Sequence, residues 1–192
     1  MINEPSLAIL IDCWDLSALP LERSTAADTL SNNILEFINK TDVIETVVLS
    51  SYDCESETTA STELWYQNRD LIYGHPYQKD NSNKERKTSP YILSYVNPCK
   101  FQIAMHQLWE LKLYLSKNSH IKNIYVLGIA WDICIRNRPL GVDNLKQLSG
   151  VNILTNINCV LTSSFVYPSI DEEWRDIGSN IYCYNQNEFQ KR

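Results

Sequence analysis

Short apolar runs alternate along the chain with longer stretches of helical periodicity. Residues 7–11 form a continuous apolar run and residues 121–130 are mostly apolar, as is typical of strands buried on both faces of a parallel sheet. The segment 25–40 instead repeats its apolar residues every three or four positions, which predicts a helix. Strands and helices therefore alternate, and the pattern predicts an α/β fold.

The rest of the chain extends this alternation. Further strands are predicted at 43–50, 151–154 and 181–184, further helices at 62–72, 101–115 and 143–148, and an exposed polar loop at 75–97, while 159–165 is ambiguous. The connections are long enough for crossovers, so we expect a doubly wound, mostly parallel sheet with helices on both faces. A chain of 192 residues can bury the core of one such domain, spanning residues 1–192.

Polar side chains that could take part in catalysis or ligand binding follow the predicted strands. Asp12 follows the first strand, Asp53 the second, and Cys134 the strand at 121–130. In doubly wound sheets, ligands bind beyond the carboxyl ends of the strands, so these residues could converge on one site. Backbone N–H groups at a helix start stabilise negative charge, so we expect a lowered pKa for the Cys134 thiol and a nucleophilic thiolate.

Charge and cysteine spacing narrow the possible partners. The formal net charge of -6 argues against broad binding to nucleic acids or anionic membranes. The six cysteines are scattered without a C-x-x-C pair, so we expect neither a zinc site nor a disulfide framework. The first residues lack the features of a secretory signal, and no apolar run approaches the ~20 residues that span a bilayer. We therefore expect a cytoplasmic protein.

Two motifs carry a family resemblance. Leu10-Ile-Asp-Cys-Trp-Asp15 resembles the first-strand motif of the isochorismatase-like cysteine hydrolases, and Gly128-Ile-Ala-Trp-Asp-Ile-Cys134 resembles their nucleophile motif. The resemblance implies an isochorismatase-like fold in which Asp12 is the general base and Cys134 the nucleophile. It also implies an oxyanion hole made by the backbone N–H groups of Ala130 and Cys134, and a cis peptide between Ile129 and Ala130.

Other positions depart from the family pattern. The family's catalytic lysine has no clear counterpart: Lys100 is the nearest candidate, although Asn97 could equally occupy that place. Trp131 stands where the family has a small threonine, and we expect it and Trp14 to border the substrate. The run Arg138-Pro-Leu-Gly141, similar to one in divergent members, predicts an interrupted helix after the nucleophile.

Three functions remain open on this evidence. The first is a cysteine hydrolase acting on an amide or related C–N bond of a small molecule, without cofactor or metal and as a homo-oligomer. The second is a relative that has lost its chemistry and serves as an oligomeric binding or assembly module. The third is a Mg²⁺-dependent nuclease, whose ligands would be carboxylates at the strand ends: Asp12, Asp15, Asp53 and Asp132. If Asp132 is not a metal ligand, we expect it to be a structural residue of a turn or helix cap. We do not expect a metal site of the nicotinamidase type.

Overall fold

A computed structural model describes residues 3–13, 21–50, 95–105, 107–178 and 180–184. The strands are β1 (Ser6–Ile11), β2 (Ile44–Ser50), β3 (Phe101–Ala104), β4 (Asn123–Ile129), β5 (Asn152–Asn156), β6 (Val160–Leu161), β7 (Trp174–Gly178) and β8 (Ile181–Tyr184). The α-helices are α1 (Leu21–Lys40), α2 (Leu108–Lys117) and α3 (Val142–Leu145), with a π-helix at Trp131–Ile135 and a 3₁₀ turn at Ile157–Cys159. The predicted helix at 62–72 and the residues Trp14, Asp15 and Asp53 lie outside the described residues.

The described strands form one eight-stranded sheet with the order β3-β2-β1-β4-β5-β8-β7, in which β6 pairs with β4. β1 pairs in parallel with β2 on one side and with β4 on the other, and β2–β3 and β4–β5 are parallel as well. Among the described strands only β8 runs in the opposite direction, antiparallel to its neighbours β5 and β7. The predicted mostly parallel sheet is confirmed. Its order reverses between β1 and β4, and in this class of fold such a reversal opens a crevice at the carboxyl ends of the strands.

Helices cover both faces of the sheet, as predicted. Ala8 and Leu10 of β1 join a core cluster with Leu30 and Ile34 of α1. The alternate β1 residues, including Ile9, pack with residues of α2 and α3 on the opposite face. This two-sided burial explains why β1 reads as a continuous apolar run rather than as an alternating one. Among the described helices, none combines the length and the apolar character needed to cross a membrane.

The prediction of one helix over 101–115 is wrong. Residues 101–104 form β3, which pairs in parallel with β2, and α2 begins only at Leu108. A capping box fixes that start, because the Glu110 carboxylate accepts a hydrogen bond of 2.6 Å from the backbone N–H of Gln107. The apolar spacing over this segment suits a helix, but pairing with β2 satisfies the backbone of its first four residues.

Candidate active site

The carboxyl ends of β1 and β4 approach each other unusually closely. Ile11 lies opposite Gly128 in the parallel pair. A Cβ atom at Gly128 would lie 2.0 Å from the carbonyl oxygen of Ile11, and Gly128 has φ of +133°. Only glycine fits this position, because any side chain would strike the backbone of β1. The missing side chain at Gly128 lets the end of β1 lie close to β4, the strand that leads to Cys134.

Each of these two strands ends in a residue with left-handed backbone geometry. Asp12 has φ of +52° and Ala130 has φ of +62°. The backbone N–H of Asp12 donates to Ser50 at the end of β2, over 3.1 Å. The Ala130 carbonyl accepts from Ile133 and Ile135, each over 3.0 Å. Such conformations are uncommon outside glycine and concentrate at functional sites, so their pairing here marks the crevice.

The peptide bond between Ile129 and Ala130 is trans. The cis bond implied by the family resemblance is therefore wrong for this chain. Ala130 changes the direction of the chain through its left-handed conformation and then starts the π-helix that carries Cys134.

The Asp12 carboxylate is fully buried, and only one of its two oxygens binds the guanidinium of Arg138. Its Oδ2 accepts from Arg138 Nε over 3.0 Å and lies 2.9 Å from Arg138 Nη2. Its Oδ1 is also buried and has no hydrogen-bond partner in the described part of the chain. A buried polar atom without a partner is costly and is usually explained by function. One carboxylate oxygen is thus fixed by a cation, while the other has no hydrogen-bond partner among the described residues.

The Cys134 thiol is near enough to interact electrostatically with both of these charged groups. Burial and, to a smaller extent, the Asp12 carboxylate raise the pKa of this thiol, and the Arg138 guanidinium lowers it, with a net result of about 11. The expected lowering of the thiol pKa is therefore wrong. The helix at this position is a five-residue π-helix, and its effect is outweighed by burial and by the adjacent negative charge. Burial and Asp12 therefore favour the protonated thiol over the thiolate.

Arg138 is a site residue for which the sequence analysis predicted no role. Its backbone N–H donates to the Cys134 carbonyl over 3.0 Å, one turn further along the chain. Its own carbonyl accepts from the Gly141 N–H over 2.7 Å and from Asn144 Nδ2 over 2.9 Å. A Cβ atom at Gly141 would lie 2.6 Å from the Ile135 carbonyl oxygen, so the turn requires glycine. The signal in the sequence was the four-residue spacing from Cys134, which places two side chains on one helical face.

Lys100 lies elsewhere. Its Nζ donates to the carbonyls of Thr41 over 3.1 Å and Ile44 over 2.6 Å, where β2 begins. Asp12 and Cys134 follow the carboxyl ends of β1 and β4. Lys100 instead lies at the amino-terminal ends of the parallel strands, on the opposite side of the sheet from the site. The structure does not bring Lys100 to the site, because its ammonium group instead satisfies two backbone carbonyls.

Trp131 was expected to border the substrate, but it does not line the crevice. Its indole is only 4% exposed and packs edge-to-face against Trp174, with ring centroids 5.5 Å apart. This contact belongs to the core on the face covered by α2 and α3. The large side chain beside the nucleophile therefore fills the core and leaves little surface for a substrate.

Asp132 has a structural partner, in keeping with its expected role in a turn. Its carboxylate accepts from the backbone N–H of Ser163 over 2.7 Å and from the Ser163 hydroxyl over 2.6 Å. The Ser163 hydroxyl lowers the pKa of this carboxyl group. The pair ties the π-helix to the turn after β6. The described ranges contain no group of three side chains suited to a metal ion, and Asp132 points to Ser163 rather than to Asp12.

No family model and no curated protein matches the sequence. A structure of nicotinamidase PncA from Bacillus subtilis matches with 16% identity and a TM-score of 0.49, covering 83% of this chain and 87% of that chain. A structure of nicotinamidase/pyrazinamidase PncA from the same organism matches with 17% identity and a TM-score of 0.46, covering 82% and 87% of the two chains.

A third solved structure, of MAR1 ribonuclease from Caenorhabditis elegans, matches with 12% identity and a TM-score of 0.43, covering 82% of this chain and 66% of that chain. All three likenesses fall below a TM-score of 0.5, and the matched proteins differ in activity. The fold of this chain therefore rests on its own strand order, and its chemistry on its own side chains.

Proposed function

We propose that this protein is an isochorismatase-like cysteine hydrolase that cleaves an amide or related C–N bond of a small molecule. The observation that carries the proposal is that a buried carboxylate, Asp12, interacts electrostatically with the Cys134 thiol at the ends of paired strands, where the strand order reverses. A nucleophile, an adjacent base and a site that excludes water are the parts that acyl transfer needs.

The first half of the reaction forms a thioester. Asp12 Oδ1 takes the proton of the Cys134 thiol as the sulfur attacks the carbonyl carbon. The new S–C bond forms while the carbonyl electron pair moves to oxygen. The oxyanion then collapses, the C–N bond breaks, and the leaving nitrogen takes the proton from Asp12. Burial and the Asp12 carboxylate raise the pKa of the Cys134 thiol, so the attack depends on Asp12 to take the thiol proton.

The second half restores the enzyme. Water attacks the thioester carbon and gives one proton to Asp12. Collapse of the second oxyanion breaks the C–S bond, and Asp12 returns the proton to the departing sulfur. The sum is an amide plus water giving a carboxylic acid plus an amine, with the protein unchanged. The N–H groups of Ala130 and Cys134 are the proposed donors to both oxyanions.

The test of this function is multiple turnover together with a covalent intermediate. The full-length protein is incubated with a panel of primary amides, N-carbamoyl compounds and p-nitrophenyl acetate. We expect more than one equivalent of product per protein from at least one C–N compound, and an acyl adduct on the Cys134 peptide in mass spectra of quenched samples. Acylation of the exposed Cys99 in place of Cys134, without turnover of any C–N compound, would count against the proposal.

One observation favours the second candidate, an oligomeric binding module without catalysis. A thiol whose pKa is raised to about 11 is almost fully protonated at neutral pH and is a poor nucleophile without its base. A binding module would retain ligands of the same panel in equilibrium dialysis but release no product. Sedimentation analysis of the same preparation would give the oligomeric state that both candidates propose.

A further inference from the structure

Arg138 interacts with both partners of the proposed proton transfer. Arg138 Nε and Nη2 lie 3.0 and 2.9 Å from the same oxygen of Asp12. The same guanidinium also interacts with the Cys134 thiol. The Asp12 side chain is 0% exposed and the Arg138 side chain 21%, so the ion pair is partly shielded from water. Charges in such a setting interact much more strongly than on an open surface.

We propose that Arg138 is the cation of this site, and that it takes the place of the lysine implied by the family resemblance. The inference rests on the proposed hydrolase for its catalytic meaning, although its physical content does not need a substrate. When the thiol proton moves to Asp12, the negative charge moves from the carboxylate to the sulfur. Arg138 interacts with both the Asp12 carboxylate and the Cys134 sulfur, so the negative charge stays beside the guanidinium as it moves. Arg138 is a positioning residue, since it acts through Asp12 and Cys134.

The chain segment after the nucleophile is built to hold this arginine. Pro139 has no N–H to continue the helix, so the chain turns immediately after Arg138. The fully buried Leu140 anchors the turn, and Gly141 allows its close return to the Ile135 carbonyl. Asn144 then binds the Arg138 carbonyl from α3. The Pro-Leu-Gly interruption therefore fixes the guanidinium near the nucleophile, and the cation comes from the nucleophile's own segment rather than from the segment that precedes β3.

The test measures the reactivity of Cys134 without any substrate. The second-order rate of alkylation by iodoacetamide is followed on the Cys134 peptide by mass spectrometry between pH 8 and pH 10. There the usual carboxyl groups are ionised, and Asp12 and Arg138 are the charged groups that face the thiol. Arg138→Gln removes the charge but keeps a donor for Asp12. We expect its Cys134 to be alkylated at least about tenfold more slowly, which is one pKa unit.

Two further variants separate charge from packing. Arg138→Lys keeps the charge and should hold the alkylation rate within about threefold of wild type. Arg136→Met is the matched control, because Arg136 lies in the same segment but pairs with Asp171 and Asp143 instead. It should leave the rate unchanged. A purely structural role for Arg138 would instead loosen the turn, speed alkylation in Arg138→Gln, and show no rescue by lysine, and that result overturns the inference.

A double variant covers the case in which Arg138→Gln fails to fold because a buried carboxylate loses its partner. Asp12→Asn with Arg138→Gln removes both charges together. Its Cys134 should be alkylated more slowly than in Asp12→Asn alone, and equal rates would overturn the inference. If these shifts appear in a protein that hydrolyses no compound of the panel, the hydrolase proposal fails while the role of Arg138 stands.

Discussion

Replacement of Cys134 by serine is expected to lower the rate of hydrolysis by at least about a thousandfold, because the proposed reaction has no other nucleophile. Serine is close in size, so the buried neighbours of the thiol keep their packing. Its hydroxyl is far less acidic than a thiol, and Asp12 is too weak a base to activate it. The measurement is kcat/KM on the best C–N substrate of the panel, with circular dichroism to confirm folding.

Cys99→Ser is the matched control for this substitution. Cys99 is an exposed thiol that precedes β3, away from the carboxyl ends of β1 and β4. The same chemical change there should leave kcat/KM unaltered. Comparable loss of activity in both variants, or full activity in Cys134→Ser, would contradict the assignment of the nucleophile.

Replacement of Gly128 by alanine is expected to destabilise the fold by about 4 kcal/mol or more, a large part of a typical domain's total stability. The new Cβ would lie 2.0 Å from the Ile11 carbonyl oxygen, so β1 and β4 must separate. Backbone φ of +133° adds strain for any residue with a side chain. Urea unfolding followed by tryptophan fluorescence gives the free energy of unfolding.

Gly150→Ala serves as the comparison for this change. Gly150 also has positive φ, at +79°, but a Cβ there meets nothing within 4 Å. Gly150→Ala should therefore lower the free energy of unfolding only through backbone strain, by about 1 kcal/mol. If both alanine variants lose the same stability, the close approach of β1 and β4 is not what makes Gly128 necessary.

The central part of this fold can be read from the sequence because its strands are buried on both faces. All six residues of β1 and all seven of β4 are buried, which gives the uninterrupted apolar runs that predict them. Asp12 directly follows one run, and Cys134 follows the other by five residues. Their meeting follows from the rule that places ligand sites at the carboxyl ends of such strands.

The ends of the sheet are harder to predict, because edge strands bury less. β7 buries Trp174 but exposes Arg175 and Asp176, and this pattern has no clear period. β3 is only four residues long, and its apolar residues also fit the spacing of the helix that follows. In both cases strand formation depends on pairing with a neighbour that is distant in sequence, which local pattern does not report.

Arg138 illustrates a different kind of gap. The sequence shows that Pro139 and Gly141 interrupt a helix, but not which way the chain then turns. The direction depends on three contacts, from Cys134, Gly141 and Asn144 to the backbone of Arg138. The family resemblance implies a lysine from another part of the chain, for which Lys100 is the nearest candidate. The positive charge beside Asp12 comes instead from the segment that carries the nucleophile.

The central claim is that a carboxylate at the end of β1 interacts electrostatically with the sulfur that follows β4, and Asp12→Asn tests it most directly. The Asp12 carboxylate raises the pKa of the Cys134 thiol, so its removal should lower that pKa while Arg138 remains. Alkylation of Cys134 at pH 8 should become at least about tenfold faster, even as hydrolysis is lost. Asp28→Asn, at an exposed position on α1, should change neither quantity. An unchanged alkylation rate of Cys134 in Asp12→Asn would contradict the account.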